Sequence, residues 1–193
     1  MNTKAFAYTL ILTAAGFAGF LSPALRAAVP EAAEEMPQIC AQRPCEYNLN
    51  LLAKNEEAFA AYKKQAESGD SHAMVCLGVM YETGDGVPKN ELEALGWFTK
   101  AAQKNNPDGL YRLGYFCQNG LAGLKKDHKN AVACYKKSAE LGSKYGQGMY
   151  ALYLWDGLVV KQDREAAVYW MKKSAANGSD HAKNMLKKWG VTP

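Results

Sequence analysis

Small and apolar residues recur with a helical spacing over most of this chain. One stripe, spaced i, i+4, i+5 and i+8 on one face of a helix, consists of Ala73, Leu77, Gly78 and Tyr81. The segment 84–88, Gly-Asp-Gly-Val-Pro, follows it, and its glycines and proline favour a turn. A second helix is predicted from about Asn90 to Asn105, with a stripe of Ala94, Trp97, Phe98, Ala101 and Ala102. The pattern therefore predicts a helical hairpin.

This pair of helices is repeated along the chain. Four alanines separated by 36, 37 and 36 residues mark the second helices: Ala66, Ala102, Ala139 and Ala175. Turn residues keep the same spacing at Gly69, Asn105, Gly142 and Gly178. A period of this length with two helices per unit is typical of a solenoid. We therefore expect an all-α fold, a right-handed α/α solenoid of about three to four helix-turn-helix repeats of 36–37 residues with a C-terminal capping helix.

The same pattern divides the chain into three predicted parts. Residues 1–27 precede the fold, residues 28–45 form an extended leader, and residues 46–190 form the solenoid. The units of the solenoid are predicted near 46–72, 73–108, 109–145 and 146–181, with a cap at 182–190. Lysines coat the surface of the predicted cap, and a polar-faced terminal helix is what ends the stacking of repeats.

The first 27 residues have the order of regions found in secretory signal peptides. A short positive head at 1–4 is followed by an apolar run at 5–21, a break at Ser22-Pro23 and the small residue Ala27. An uncleaved anchor is the alternative, but 17 residues diluted by Thr, Ala and Gly are short for a bilayer that needs about 20. We therefore expect cleavage after Ala27 and a periplasmic or secreted protein.

Charge is divided unevenly over the 193 residues. The net charge is +4, but residues 28–124 carry 8 basic and 13 acidic side chains, whereas residues 125–193 carry 13 basic and 6 acidic ones. A nucleic-acid-binding protein needs many contacts to phosphate, and the small overall excess of positive charge does not supply them. We therefore expect another protein as the partner, and no nucleic acid. No segment after the apolar run is apolar enough to span a membrane.

The solenoid resembles the Sel-like repeat family, a relative of the tetratricopeptide repeats. The matching residues are Leu77-Gly78, Gly84-x-Gly86-Val87 and Trp97-Phe98 in the first full unit, Leu113-Gly114 and Tyr135 in the second, and Gly157 and Trp170 in the third. The third unit departs from the pattern, because Tyr150-Ala151 stands where Leu-Gly is expected. The resemblance implies a scaffold that binds other proteins and identifies no particular partner.

Several functions are implied by this resemblance. Exported members that resemble this chain act as periplasmic immunity proteins, which neutralise toxins, or as regulatory proteins, and this is our best specific expectation. An assembly scaffold of an envelope complex is an alternative. Some cysteine-rich members resemble weak β-lactam-binding or β-lactam-hydrolysing enzymes, but the regular cysteine pair that they repeat in every unit is absent here.

Motifs that carry catalysis or bind metals are absent from the sequence. It contains no Gly-x-Ser-x-Gly elbow, no His-Glu-x-x-His and no phosphate-binding glycine loop. Two of the three histidines, His72 and His181, stand at equivalent repeat positions far apart, which does not favour a zinc site. We therefore expect no enzymatic activity, no cofactor and no metal.

The five cysteines are an odd number, so at least one is free or bonded to another chain. Cys117 and Cys134 stand where Tyr81 and Trp97 stand in the first unit, and a disulfide between them explains this paired change. Two separately buried thiols are the alternative. Cys40 and Cys45 could pair with each other, or either of them with Cys76.

A binding surface is expected on the first helix of each unit, on the side away from the stripe described above. In stacked helical hairpins this side lines the concave face. The residues predicted there are Val75, Val79, Tyr111, Arg112, Tyr115, Asn119, Met149, Leu152 and Asp156. An apolar, aromatic surface with an arginine is typical of the core of a protein interface. The alternative is that neighbouring repeats bury this stripe.

Export is expected to remove about 27 residues, because the charged head, apolar run and small-residue site occur in the order that signal peptidases recognise. Intact-mass spectrometry of the protein exported by its native host should give a chain that begins at Ala28. A mature chain that retains Met1 or Lys4 would contradict this.

Overall fold

A computed structural model of the chain describes residues 56–192. This part contains eight helices and no strand: α1 Glu56–Glu67, α2 Ser71–Thr83, α3 Glu91–Gln103, α4 Pro107–Asn119, α5 His128–Glu140, α6 Lys144–Asp156, α7 Arg164–Ala176 and α8 Asp180–Lys188. None of them is long and apolar enough to cross a membrane. The predicted signal peptide, and the leader with Cys40 and Cys45, lie outside the described residues.

Helices adjacent in sequence pack against each other throughout the array, which confirms the predicted solenoid. Three hairpins, α2–α3, α4–α5 and α6–α7, stack in order, with α1 before them and α8 after them. The first helix of the middle hairpin, α4, also contacts α2 and α6. The first helices therefore lie side by side and share one face of the array.

Each helix from α2 to α8 begins at a residue that caps its free N–H groups. A side-chain oxygen accepts a hydrogen bond from backbone N–H groups of the first turn in every case, at Asp70, Asn90, Asn106, Asp127, Ser143, Asp163 and Ser179. Such caps satisfy donors that the helix itself leaves unpaired. The capping residues fix where each helix starts, and therefore which of its residues face the neighbouring helices.

Left-handed residues end the helices at equivalent places in the repeat. The first helices stop at Gly84, Gly120 and Gly157, which have φ values of 79°, 69° and 72°. After the second helices, Asn105 and Gly142 have φ values of 58° and 96°. Glycine and asparagine enter this region more easily than other residues. The turns predicted from the repeat spacing are therefore present.

Within each hairpin, a small residue on the first helix packs against a large one on the second. A Cβ atom at Gly78 would lie 2.5 Å from the ring of Phe98, and one at Gly114 would lie 2.8 Å from the ring of Tyr135. In the third hairpin, Ala151 occupies the glycine position and Met171 the aromatic position, and both belong to one buried cluster. The extra methyl group of the alanine is thus accompanied by a more flexible partner.

A second close contact joins successive hairpins. A Cβ atom at Gly109 in α4 would lie 2.6 Å from the Cβ atom of Ala101 in α3. At the next junction Gly146 in α6 packs in the same way on Ser138 in α5. The hydroxyl group of the buried Ser138 donates a hydrogen bond of 2.6 Å to the carbonyl oxygen of Pro107. Neighbouring helices therefore approach closely without an unsatisfied buried hydroxyl group.

The last helix, α8, closes the array. Ala182 and Leu186 are fully buried against the third hairpin, whereas the lysines of α8 lie on its exposed side. Trp189 stacks on Trp155 with ring centroids 3.9 Å apart. This helix covers the apolar surface of the third unit and presents a charged face outward.

Replacing Gly109 by alanine is expected to destabilise the protein by about 1–3 kcal/mol, because the new methyl group would meet the backbone of Ala102 as well as Ala101. Gly96 is the matched control, since it lies in the interior of α3 with open space where a Cβ atom would be. Gly96→Ala should stabilise the protein by about 0.5–1 kcal/mol through helix propensity. Urea unfolding measures both changes. Equal stability of the two variants would show that the helices do not approach as closely as described.

Candidate functional site

A cavity of about 640 Å³ lies on the shared face of the first helices. Residues of α2, α4 and α6 line it, together with the turn before α3, the first residue of α3 and the loop after α4. The cavity therefore extends over three successive units, and it is built of an apolar floor, three tyrosines and a set of charged side chains.

The floor of the cavity belongs to the hydrophobic core. Val75 and Val79 are 2% and 4% exposed, and Phe116 is fully buried. All three belong to the cluster that surrounds Phe98. Leu121, in the loop after α4, packs against the same cluster. Because these side chains are held by core packing, the floor has a fixed shape.

Tyrosines form the side of the cavity toward the third unit. Tyr111 of α4 and Tyr145 of α6 are stacked, with ring centroids 5.3 Å apart and an interplanar angle of 28°. Burial raises the pKa of Tyr111 above its ordinary value. Tyr115 lies one turn further along α4 and is exposed. The tyrosines thus combine a partly buried stacked pair with a ring that is open to a partner.

An ion pair joins two units across the cavity. The Nη1 atom of Arg112 in α4 lies 3.0 Å from the Oε2 atom of Glu82 in α2, and both side chains are largely buried. Burial raises the pKa of Glu82, and the charge of Arg112 opposes that change. The guanidinium group also lies 5.9 Å from the ring centroid of Tyr111. Arg112 is therefore held in place by contacts on two sides.

A second ion pair lies at the rim. The Nζ atom of Lys89 is 3.0 Å from a carboxylate oxygen of Glu91, and the hydrogen bond with Lys89 lowers the pKa of Glu91. Glu91 also accepts a hydrogen bond of 3.5 Å from the backbone N–H of Ala122. A third carboxylate, that of Asp108, accepts a hydrogen bond of 2.8 Å from the hydroxyl group of Ser143.

Five of the nine residues predicted for the binding surface line this cavity: Val75, Val79, Tyr111, Arg112 and Tyr115. The other four lie outside it. Met149 and Leu152 pack against core clusters, the side-chain amide of Asn119 donates a hydrogen bond to the carbonyl oxygen of Tyr115, and Asp156 is exposed. Gly148 stands at the repeat position of Val75 and Tyr111, so the third unit has no side chain there.

The sequence did not indicate several residues that line the cavity. These are Glu82, Lys89, Glu91, Asp108 and Leu121. Asp108 occupies the repeat position of His72 and Tyr145, one residue before the small residue of each first helix, so its place on this face follows from the repeat. Lys89 and Leu121 belong to connections whose paths the helical period does not determine.

Two cysteines face each other in the second hairpin. Cys117 lies on α4 and Cys134 on α5, both partly buried and both thiols in this structure. Burial raises the pKa of Cys134 to about 11, and the negative charge of an ionised Cys117 adds to this effect. The disulfide between them stays a prediction. Cys76 lies buried in α2.

No group of three or more His, Cys, Asp or Glu side chains within residues 56–192 is arranged to hold a metal ion. His72 lies at the start of α2 and His181 at the start of α8. The third histidine, His128, shares a hydrogen bond of 2.8 Å between its Nδ1 atom and the hydroxyl group of Tyr153.

The stacked hairpins and their shared cavity define the chain as a solenoid of the protein-interaction class. It belongs to the Sel1 repeat family, whose profile matches residues 71–106, 107–143 and 144–179, more than half of the chain. Each matched segment begins at the first residue of a first helix, α2, α4 or α6.

Solved structures share this fold, and curated relatives are similar over part of their length. A Sel1 repeat protein from Oxalobacter formigenes is 33% identical, with a TM-score of 0.61, over 68% of this chain and 98% of that one. The immunity protein Pa5087 from Pseudomonas aeruginosa shares the fold at 21% identity and a TM-score of 0.56, over 83% and 59% of the two chains. An exopolysaccharide production negative regulator of Rhizobium meliloti is 29% identical over 65% of this chain and 52% of the regulator. The chain spans from 18% to 52% of the curated relatives that it matches.

Oxidation is expected to join Cys117 to Cys134. The loop that the bond would close is short, so its contribution to the free energy of unfolding should be about 3 kcal/mol. Peptide mapping without reductant, on protein exported to the periplasm, should recover the two cysteines in one cross-linked peptide pair. The Cys134→Ser variant should lose both that pair and the difference in unfolding free energy between oxidised and reduced protein. Free thiols at both positions would contradict the prediction.

Proposed function

We propose that this chain is an exported, non-enzymatic protein-binding solenoid and that its partner binds along the cavity of the first helices. The observation that carries the proposal is the cavity itself, which spans three units and combines a rigid apolar floor with tyrosines and a fixed arginine. Exposed tyrosine and held arginine side chains are the residues that most often dominate the energy of protein interfaces.

The shape of the site supports an extended partner segment. The cavity includes Val79 of the first unit, Tyr115 of the second and Tyr145 of the third, so a chain that crosses it contacts successive repeats. Repeat solenoids commonly use an extended concave surface of this kind. Because the floor is held by core packing, its side chains would lose little conformational freedom on binding, which favours affinity.

Within this function, a periplasmic immunity or regulatory role is our specific proposal. The order of charged, apolar and small residues in the first 27 positions supports export. The likeness to a curated negative regulator supports a role in controlling another protein, whereas the likeness to Pa5087 concerns the fold alone. In this role the partner would be a toxin or an envelope protein whose segment the cavity holds.

Truncating residues of the cavity should weaken partner binding at any ionic strength. Tyr115→Ala and Arg112→Ala are each expected to cost about 2 kcal/mol, roughly a 30-fold loss of affinity, because aromatic and arginine anchors lose buried contacts. The partner would first be identified by affinity purification from the native host followed by mass spectrometry, and its binding then measured by calorimetry.

Tyr169→Ala is the matched control, because Tyr169 is 53% exposed on α7, outside the cavity. Replacing Lys183, Lys187 and Lys188 together should lower affinity only at low salt, since exposed charges mainly affect the association rate. Circular dichroism and melting temperature should confirm that each variant is folded. The proposal fails if the lysine variant abolishes binding at physiological salt while Tyr115→Ala and Arg112→Ala bind normally.

A further inference from the structure

The charged residues of the cavity do not balance. Its lining includes three carboxylates and two cations. Arg112 is paired with Glu82 and Lys89 with Glu91, each at 3.0 Å. The third carboxylate, that of Asp108, accepts a hydrogen bond from Ser143 but forms no ion pair with a cation among residues 56–192. Among the described residues, one negative charge of the cavity is therefore unmatched.

Aromatic faces lie in the same cavity as this carboxylate. Tyr111 and Tyr145 form their stacked pair there, with Arg112 and Lys144 at 5.9 Å and 5.1 Å from the respective ring centroids, and Tyr115 contributes an exposed ring. The face of an aromatic ring attracts a cation because of its quadrupole, and the attraction grows when water is excluded. A cavity lined by tyrosine rings and a carboxylate suits a positively charged group with an apolar stem, since the stem can pack on the rings and the charge can approach the oxygen atoms.

An anionic group suits the cavity poorly. The charge of Arg112 is already matched by a largely buried Glu82, and that of Lys89 by Glu91, so an incoming carboxylate would compete with the protein's own carboxylates for the same cations. The segment 56–124, which supplies all of the lining except Tyr145, adds to this preference, because it carries 9 acidic and 6 basic side chains. Charge complementarity at an interface selects the partner of opposite sign.

The volume of the cavity is large enough for such a group together with the backbone that carries it. At about 640 Å³ it lies within the range of roughly 300–1,000 Å³ that is common for ligand sites. From these observations we infer that the partner segment packs an arginine or lysine side chain against the tyrosines, beside the exposed ring of Tyr115, with its charge directed to Asp108. This inference rests on the proposed function and names the chemistry of the partner that the same site selects.

The test uses small probes and does not depend on the identity of the partner. N-acetyl-arginine amide would be titrated into the isotopically labelled protein and followed by two-dimensional amide NMR. N-acetyl-citrulline amide is the control probe, because it has nearly the same shape but no charge. We expect shifts at Tyr111, Tyr115 and Tyr145 with the arginine probe, and affinity about tenfold lower for the citrulline probe.

Asp108→Asn is the decisive variant, since an amide oxygen can keep the hydrogen bond from Ser143 while the charge is lost. It should reduce the affinity for the arginine probe at least about fivefold and leave the affinity for the citrulline probe unchanged. Glu93→Gln is the control, because Glu93 also lies in the first turn of its helix but is exposed and outside the cavity. It should leave both affinities unchanged.

Equal affinity for the two probes, tighter binding of N-acetyl-glutamate amide, or no loss in Asp108→Asn would overturn the inference. Absence of shifts with the arginine probe at about 50 mM, well above a millimolar dissociation constant, would do the same. If these results occur while Tyr115→Ala still weakens the natural partner, the inference fails and the proposed function stands. If the arginine probe binds as expected but the natural partner binds Tyr115→Ala and Arg112→Ala with unchanged affinity, the proposed function fails instead.

Discussion

The structure depends on the close packing of a small residue on the first helix of each unit against a large residue on the second. At Gly78 and Gly114 the aromatic partner occupies the space that a Cβ atom would need. This contact sets how near the two helices lie and in which rotational phase they meet. Since the arrangement recurs in every unit, the first helices are placed side by side on one face, and the cavity is a result of that placement.

The cavity is not simply a repeat of one surface. Val79 and Tyr115 reach it from corresponding positions along the first helices, and Asp108 and Tyr145 reach it from corresponding positions at the starts of α4 and α6. Gly148 leaves the third unit without the side chain that Val75 and Tyr111 provide in the others. The stacked ring of Tyr145 therefore limits the cavity at this end. Departures from the repeat pattern, more than the pattern itself, give the site its shape and charge.

Sequence reasoning predicted the helices and turns because both have local causes. Capping residues such as Asn90 and left-handed glycines such as Gly84 act within a few residues of the chain. Because they recur with the repeat spacing, each unit supports the prediction made for the others. Five of the nine residues predicted for the binding surface also line the cavity, because residues at i and i+4 of a helix share a face. What was missed depends on tertiary context. Leu152 has the phase of Val79 and Tyr115 but packs against the core next to Met171, and Glu91 reaches the cavity only because of how α3 packs on its neighbours.

The loop between α4 and α5 affects how a bound partner is aligned along the array. It contains one residue more than the loop between α2 and α3, and it holds Ala122 at a φ of 54°. Its Leu121 lines the cavity, and the backbone N–H of Ala122 donates a hydrogen bond to Glu91 of the preceding unit. A perfectly periodic surface would offer a bound chain several equivalent alignments, shifted by one unit each. A single inserted residue removes that translational equivalence, so the array offers a bound chain one alignment instead of several equivalent ones.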